Sequence, residues 1–130
     1  MIVEVLSEKV YIPKWNGNRE LPEDEQIKVT HRFFKAGEKK KYIYMKNAVV
    51  DVVTNEVNSM VEFIVDSEGL TRTLVTKIEN LQVHDNAKDK MVNVKTGNDL
   101  YTIPGVPEAL VVELENYLQG ASPEVDKDFL

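Results

Sequence analysis

Ile27-Lys28-Val29-Thr30-His31-Arg32-Phe33 alternates without a slip, with Ile27, Val29, His31 and Phe33 on one side and Lys28, Thr30 and Arg32 on the other. Successive side chains of a strand point to opposite faces, so this period of two predicts a half-buried strand with its odd-numbered side chains inward. A second stretch has a different period. In Pro107 to Gly120, Leu110, Val111, Leu114, Tyr117 and Leu118 fall on one helical face, with Glu108, Glu113, Glu115 and Asn116 mainly on the other. Pro107 suits the first helical position and Gly120 the stop. The expected class is α+β, with antiparallel strands in the N-terminal half and helices in the C-terminal half.

Upstream of the first stretch, Ile2 to Ile12 reads as extended. Val3 and Val5 are out of phase with Val10 and Ile12, which predicts a bulge or break near Ser7. Pro13 marks a strand end, and Asn16-Gly17 within Lys14 to Arg19 is a turn signal. Glu20-Leu21-Pro22-Glu23-Asp24-Glu25-Gln26 is an acidic, exposed connector. These pieces predict an antiparallel strand pair joined by a long loop.

Downstream, Lys39-Lys40-Lys41-Tyr42-Ile43-Tyr44-Met45 fits a helical turn or a strand, and the helix is the reading taken. Ala48 to Val53 is β-branched and strand-leaning, and Val57 to Val65 is a strand or the entry to a helix. Leu70, Leu74, Ile78 and Leu81 form a helical stripe with Val75 beside it, and Asp66 or Ser67 can cap its N-terminus. Val83 to Lys90 reads as polar loop and Met91 to Lys95 as a short strand. Ser122-Pro123-Glu124 offers a cap and a helix-compatible proline for a short last turn.

At 130 residues the chain fits one domain, 1–130, with a short C-terminal tail over 121–130. No apolar run is long enough to cross a bilayer, and Met1-Ile2-Val3-Glu4 lacks the basic start of a secretory signal. The absence of cysteine excludes disulfides and thiolate chemistry and fits a reducing cytoplasm. A net charge of −6 argues against general nucleic-acid binding. The charge is uneven, however. Lys28, Arg32, Lys35, Lys39, Lys40, Lys41 and Lys46 are opposed only by Glu38, whereas the chain from Glu108 onward is acidic. Such polarity steers association between copies or attracts a charged partner, unless both stretches are simply solvated faces.

Catalytic and metal sites need particular residue types at particular spacings. His31 and His84 are the only histidines, and no His-x-x-x-His pair is present. His84-Asp85 with Asp89 is the nearest approach to a carboxylate–imidazole site, and an ordinary polar loop is the better account of it. Asp85 to Asp89 lacks the glycine and terminal glutamate of a calcium loop. No phosphate-cradling glycine motif or Gly-x-Ser-x-Gly occurs. The expectation is therefore a protein without enzymatic activity, cofactor or metal.

What remains is interaction surface. Trp15, the only tryptophan, sits in a loop, where it either anchors a partner or folds back over the strands. Trp15, Arg32, Lys39, Lys40 and Lys41 are the candidate partner-binding residues. The basic 28–46 segment, with Phe33, Phe34, Tyr42 and Tyr44 available for stacking, supports the alternative of a small nucleic-acid-binding regulator.

Three segments carry a family resemblance: Trp15 to Leu21 with Pro22 and the trailing Glu23-Asp24-Glu25-Gln26, then Lys77-Ile78-Glu79-Asn80-Leu81, then Leu100-Tyr101-Thr102-Ile103-Pro104-Gly105. Their order resembles that of small morphogenesis and virion proteins of tailed bacteriophages, loosely similar to tail assembly chaperones or head-tail structural proteins. The resemblance implies a non-catalytic role in building the virion through contacts with other phage structural proteins. It implies the host cytoplasm during assembly, or the virion, as the location. The strand-rich first half departs from the largely helical pattern of such chaperones.

Overall fold

The computed structural model describes residues 1–47 and 61–124. Its central strand is the alternating one: β2, Lys28–Arg32, lies between β1, Glu8–Tyr11, and β5, Val75–Glu79. Both pairings are antiparallel, with Lys9 opposite His31 and Val29 opposite Ile78. Ile27, Val29 and His31 are buried and Phe33 half-buried, as the alternation predicts. A register shift at Thr30/His31 interrupts the β2–β5 ladder, and Thr76 Oγ1 donates to the Thr30 carbonyl there.

A second antiparallel pair joins β3, Ile43–Asn47, to β4, Val61–Val65. A hairpin joins β6, Gln82–Asp85, to β7, Lys90–Asn93. The helices are α1, Ser67–Leu74, the single turn α2, Asp99–Thr102, and α3, Glu108–Gly120. The class is mixed α+β with antiparallel sheets, strands mostly first and α3 at the C-terminal end.

The core joins β2, α1, β5 and α3. Val29, Leu70, Leu74, Ile78, Leu110, Leu114 and Leu118 are buried together, with Leu81, Val94 and Leu100 beside them. Helix α1 packs on α3 and backs onto a loop at Gly97. A Cβ on Gly97 would lie 2.7 Å from the Thr71 carbonyl oxygen, so only glycine fits this approach. Asp66 caps α1, its carboxylate accepting from the Gly69 N–H at 3.0 Å.

Several expectations are corrected. The Leu70–Leu81 stripe is buried but not one helix, because α1 ends at Leu74 and Val75, Thr76 and Ile78 extend into β5. A spacing of four suits both helix and strand periods, so the step from Leu74 to Ile78 did not distinguish them. Lys39–Lys41 forms one 3-10 turn and Ile43 begins a strand, so the helix over Lys39 to Met45 is only its first turn. Gln82–Asp85 is a strand rather than loop, held by the ladder to β7 with little apolar burial of its own. Pro107 is the cap rather than the first helical residue, and Gly120 is the last helical residue. Ser122 to Glu124 does not start a helix. The Leu6 N–H donates to the Pro123 carbonyl, and Val5 bridges Glu124. The strand over Ala48 to Val53, the first part of Val57 to Val65 and the tail beyond Glu124 lie outside the described residues.

Candidate interaction surface

The loop between β1 and β2 is organised by polar groups. Asn16 and Gly17 take left-handed backbone angles, the conformation that Asn-Gly favours, within a 3-10 segment over Trp15–Glu20. Asn18 is buried. Its Nδ2 donates to the Pro13 and Ile27 carbonyls at 2.8 and 3.2 Å, and its Oδ1 accepts from the Ile27 N–H at 2.7 Å. These bonds pull Trp15 back onto the core, where it is half-buried. Of the two roles read for Trp15, packing over its own fold is the one its position supports.

Glu113 on α3 clamps the same region. It accepts from the Tyr11 hydroxyl and the Lys14 N–H, both at 2.7 Å, and from the Trp15 N–H at 2.9 Å. Tyr11 stacks on Tyr117, with ring centroids 3.8 Å apart. Burial and the bond to Glu113 push the Tyr11 pKa up to about 12, so the hydroxyl keeps its proton. Tyr117 also reaches His31, its hydroxyl 2.9 Å from Nε2, while Nδ1 faces the Arg32 carbonyl at 3.1 Å. A carbonyl only accepts, so Nδ1 carries the hydrogen and Nε2 accepts from Tyr117. Burial pushes the His31 pKa down. The cluster is a fastening between β1, β2 and α3, with each polar atom engaged by a neighbour.

The basic candidates separate into two groups. Arg32 makes a two-pronged pair with Glu38, both Nη···Oε distances being 2.8 Å, and Nη1 also donates to the Phe33 carbonyl. The bonds from Arg32 and from the Lys35 N–H hold the Glu38 carboxyl at a pKa of about 2. Arg32 is thereby engaged within its own chain. Lys39, Lys40 and Lys41 are exposed, but three consecutive residues of a 3-10 turn point about 120° apart and present no single flat patch. Trp15 is not brought to them: it packs with α3, whereas the lysine turn runs directly into β3.

Two apolar surfaces were not anticipated. The β3–β4 ribbon is fixed at its root, where Tyr42 stacks on Phe34 and its hydroxyl lies 2.8 Å from Thr73 Oγ1. Ile43 and Val65 pair near that root. The next pair on the same face, Met45 and Phe63, is 70% and 63% exposed. The other surface is the arm before β1, where Val3 and Val5 are 71% and 56% exposed beside exposed Met1, Ile2 and Leu6. The break near Ser7 was the available signal, since residues before it leave the sheet.

Other features are local. His84 meets Asp89 at 3.1 Å and also Asn86 in the exposed β6–β7 turn, while Asp85 accepts from the Ala87 and Lys88 N–H groups. Among the described residues no three His, Asp or Glu side chains converge as metal ligands, and no helix is long and apolar enough to cross a membrane. A groove of about 420 Å³ runs past Asp24, Glu25, Asn80, Gln82, Asn93 and Lys95. Asn80 ties its wall to the acidic connector by donating to the Asp24 and Gln26 carbonyls. Compared with models of known protein families, with curated proteins and with solved structures, the chain matches none.

Proposed function

We propose that this chain is a non-catalytic protein that docks other proteins during assembly of a tailed-phage particle, as a structural subunit of the virion or as a tail assembly chaperone. The docking reading is carried by the apolar side chains left in water at Met45 and Phe63 and along Met1 to Leu6. Single exposed apolar residues are ordinary, but adjoining ones mark interaction sites. A two-stranded ribbon gains most of its stability from what packs on it, so its bare face is suited to a protein partner. The phage part of the reading is supported by the resemblance of residues 15–26, 77–81 and 100–105. Co-expression with the head and tail proteins of a phage that encodes the chain, followed by affinity capture, tests it. A stable complex with one of them is expected. Capture of none, together with absence from purified particles, would refute it. Mass spectrometry of mature particles separates a resident subunit from a transient chaperone.

Exposed Lys39, Lys40 and Lys41 favour a second reading, binding of nucleic acid through the 28–46 segment. Its affinity would fall steeply with added salt as phosphate counterions are released. Absence of binding at low salt ends that reading.

A further inference from the structure

We infer that the arm before β1 of one copy adds as a third strand to the β3–β4 ribbon of a second copy, joining chains head to tail. Backbone polarity, side-chain alternation and charge agree on one register, independently of which other proteins the chain meets.

On the arm, Val5 bridges Glu124, and the flanking bond runs from the Leu6 N–H to the Pro123 carbonyl at 2.8 Å. In an antiparallel pair, a bond at the flanking residue means that the bridged residue points its own N–H and C=O the other way. Val5 therefore turns its backbone groups away from Glu124, as Val3 does in an extended arm, and among the described residues no strand pairs with the arm on that side. On the ribbon, Ile43 pairs with Val65 and the flanking bond runs from the Asp66 N–H to the Tyr42 carbonyl at 2.7 Å. By the same rule Ile43, Met45 and Asn47 turn their backbone groups away from β4. Among the described residues no strand pairs with β3 on that side.

Setting Val5 opposite Met45 in antiparallel sense matches donors to acceptors. Val3 then falls opposite Asn47, and both valines join the face bearing Met45 and Phe63. On the reverse face Glu4 falls opposite Lys46, which already has Glu62 across β4, and Leu6 falls opposite Tyr44. A one-residue slip would turn the valines to the charged face and mismatch the backbone. A two-residue slip would keep the faces but separate Glu4 from Lys46, so charge selects the register.

The chain has no cysteine, so introduced pairs report contact directly. Full-length Val5→Cys and Met45→Cys variants are mixed and oxidised. Opposed residues of a hydrogen-bonded pair have Cα atoms about 5.5 Å apart, within disulfide reach. A disulfide-linked dimer is expected from this mixture and not from Val5→Cys mixed with Lys46→Cys, whose side chain faces the other surface. By light scattering, the unsubstituted chain is expected to rise above monomer mass with concentration. Glu4→Lys or Lys46→Glu alone should lose that association, and mixing the two single variants should restore it. A chain that stays monomeric at every concentration overturns the inference. So does equal cross-linking at positions 45 and 46, or a Val5→Cys/Met45→Cys double variant that closes its disulfide within one chain. These measurements use the chain alone, so their failure is distinct from failure to bind a phage protein.

Discussion

His31 shows how much one buried side chain can determine. Burial lowers its pKa, so the folded state prefers the neutral ring and the unfolded state takes up the proton first. Its contribution to stability is present above the ordinary value of 6.5 and is lost as pH falls below it. The urea midpoint is expected to fall on acidification through that window, with a shallower fall in His31→Gln. Glu38 acts lower on the scale. Its depressed pKa stabilises the fold above 4.5, and that contribution disappears as pH approaches about 2. Glu38→Gln should flatten the second decline and leave the first, which acid titration followed by circular dichroism can separate. Asn18 is the most heavily engaged buried polar side chain of the loop. Asn18→Ala strands the Ile27 N–H and two carbonyls, and a loss of roughly 2–4 kcal/mol is expected from chemical denaturation. His31 as an inward-facing strand residue was legible from its place in the alternation. Its partner Tyr117 was not, because 86 residues separate them.

At the scale of elements, legibility followed how much of each element's stability is local. Helix α3 carries its own apolar stripe and β2 its own alternation, and both were read correctly. β6 has neither, since Val83 alone among its four residues is a half-buried apolar group and the backbone ladder to β7 does the rest. At the end of α1 the stripe continues into β5 because β-branched Val75 and Thr76 favour a strand over a helix and the segment pairs with β2. The α1–loop contact makes a sharp prediction. Gly97→Ala places a methyl 2.7 Å from the Thr71 carbonyl oxygen and 3.1 Å from Arg72 Cα, so backbone must move. A loss of about 1–3 kcal/mol is expected in thermal or urea unfolding.

For the whole molecule, folding and docking use different apolar groups and should separate by mutation. Leu114→Ala removes a fully buried side chain shared by α3 and the core, and should cost about 2–5 kcal/mol in denaturation experiments. Met45→Ser with Phe63→Ser alters only side chains in water, and should leave the unfolding midpoint almost unchanged while abolishing capture of protein partners. The sequence by itself determined the α+β class, the strand at Ile27 to Phe33, the capped start of α1 and the amphipathic last helix, because each is written in neighbouring residues a few positions apart. Only the tertiary structure decided that Arg32 is engaged by Glu38, that Trp15 folds onto the core, and that Met45, Phe63, Val3 and Val5 stay in water. Exposure and partnership depend on which distant segments arrive beside a side chain, and the periodicity of a single segment carries no record of its neighbours.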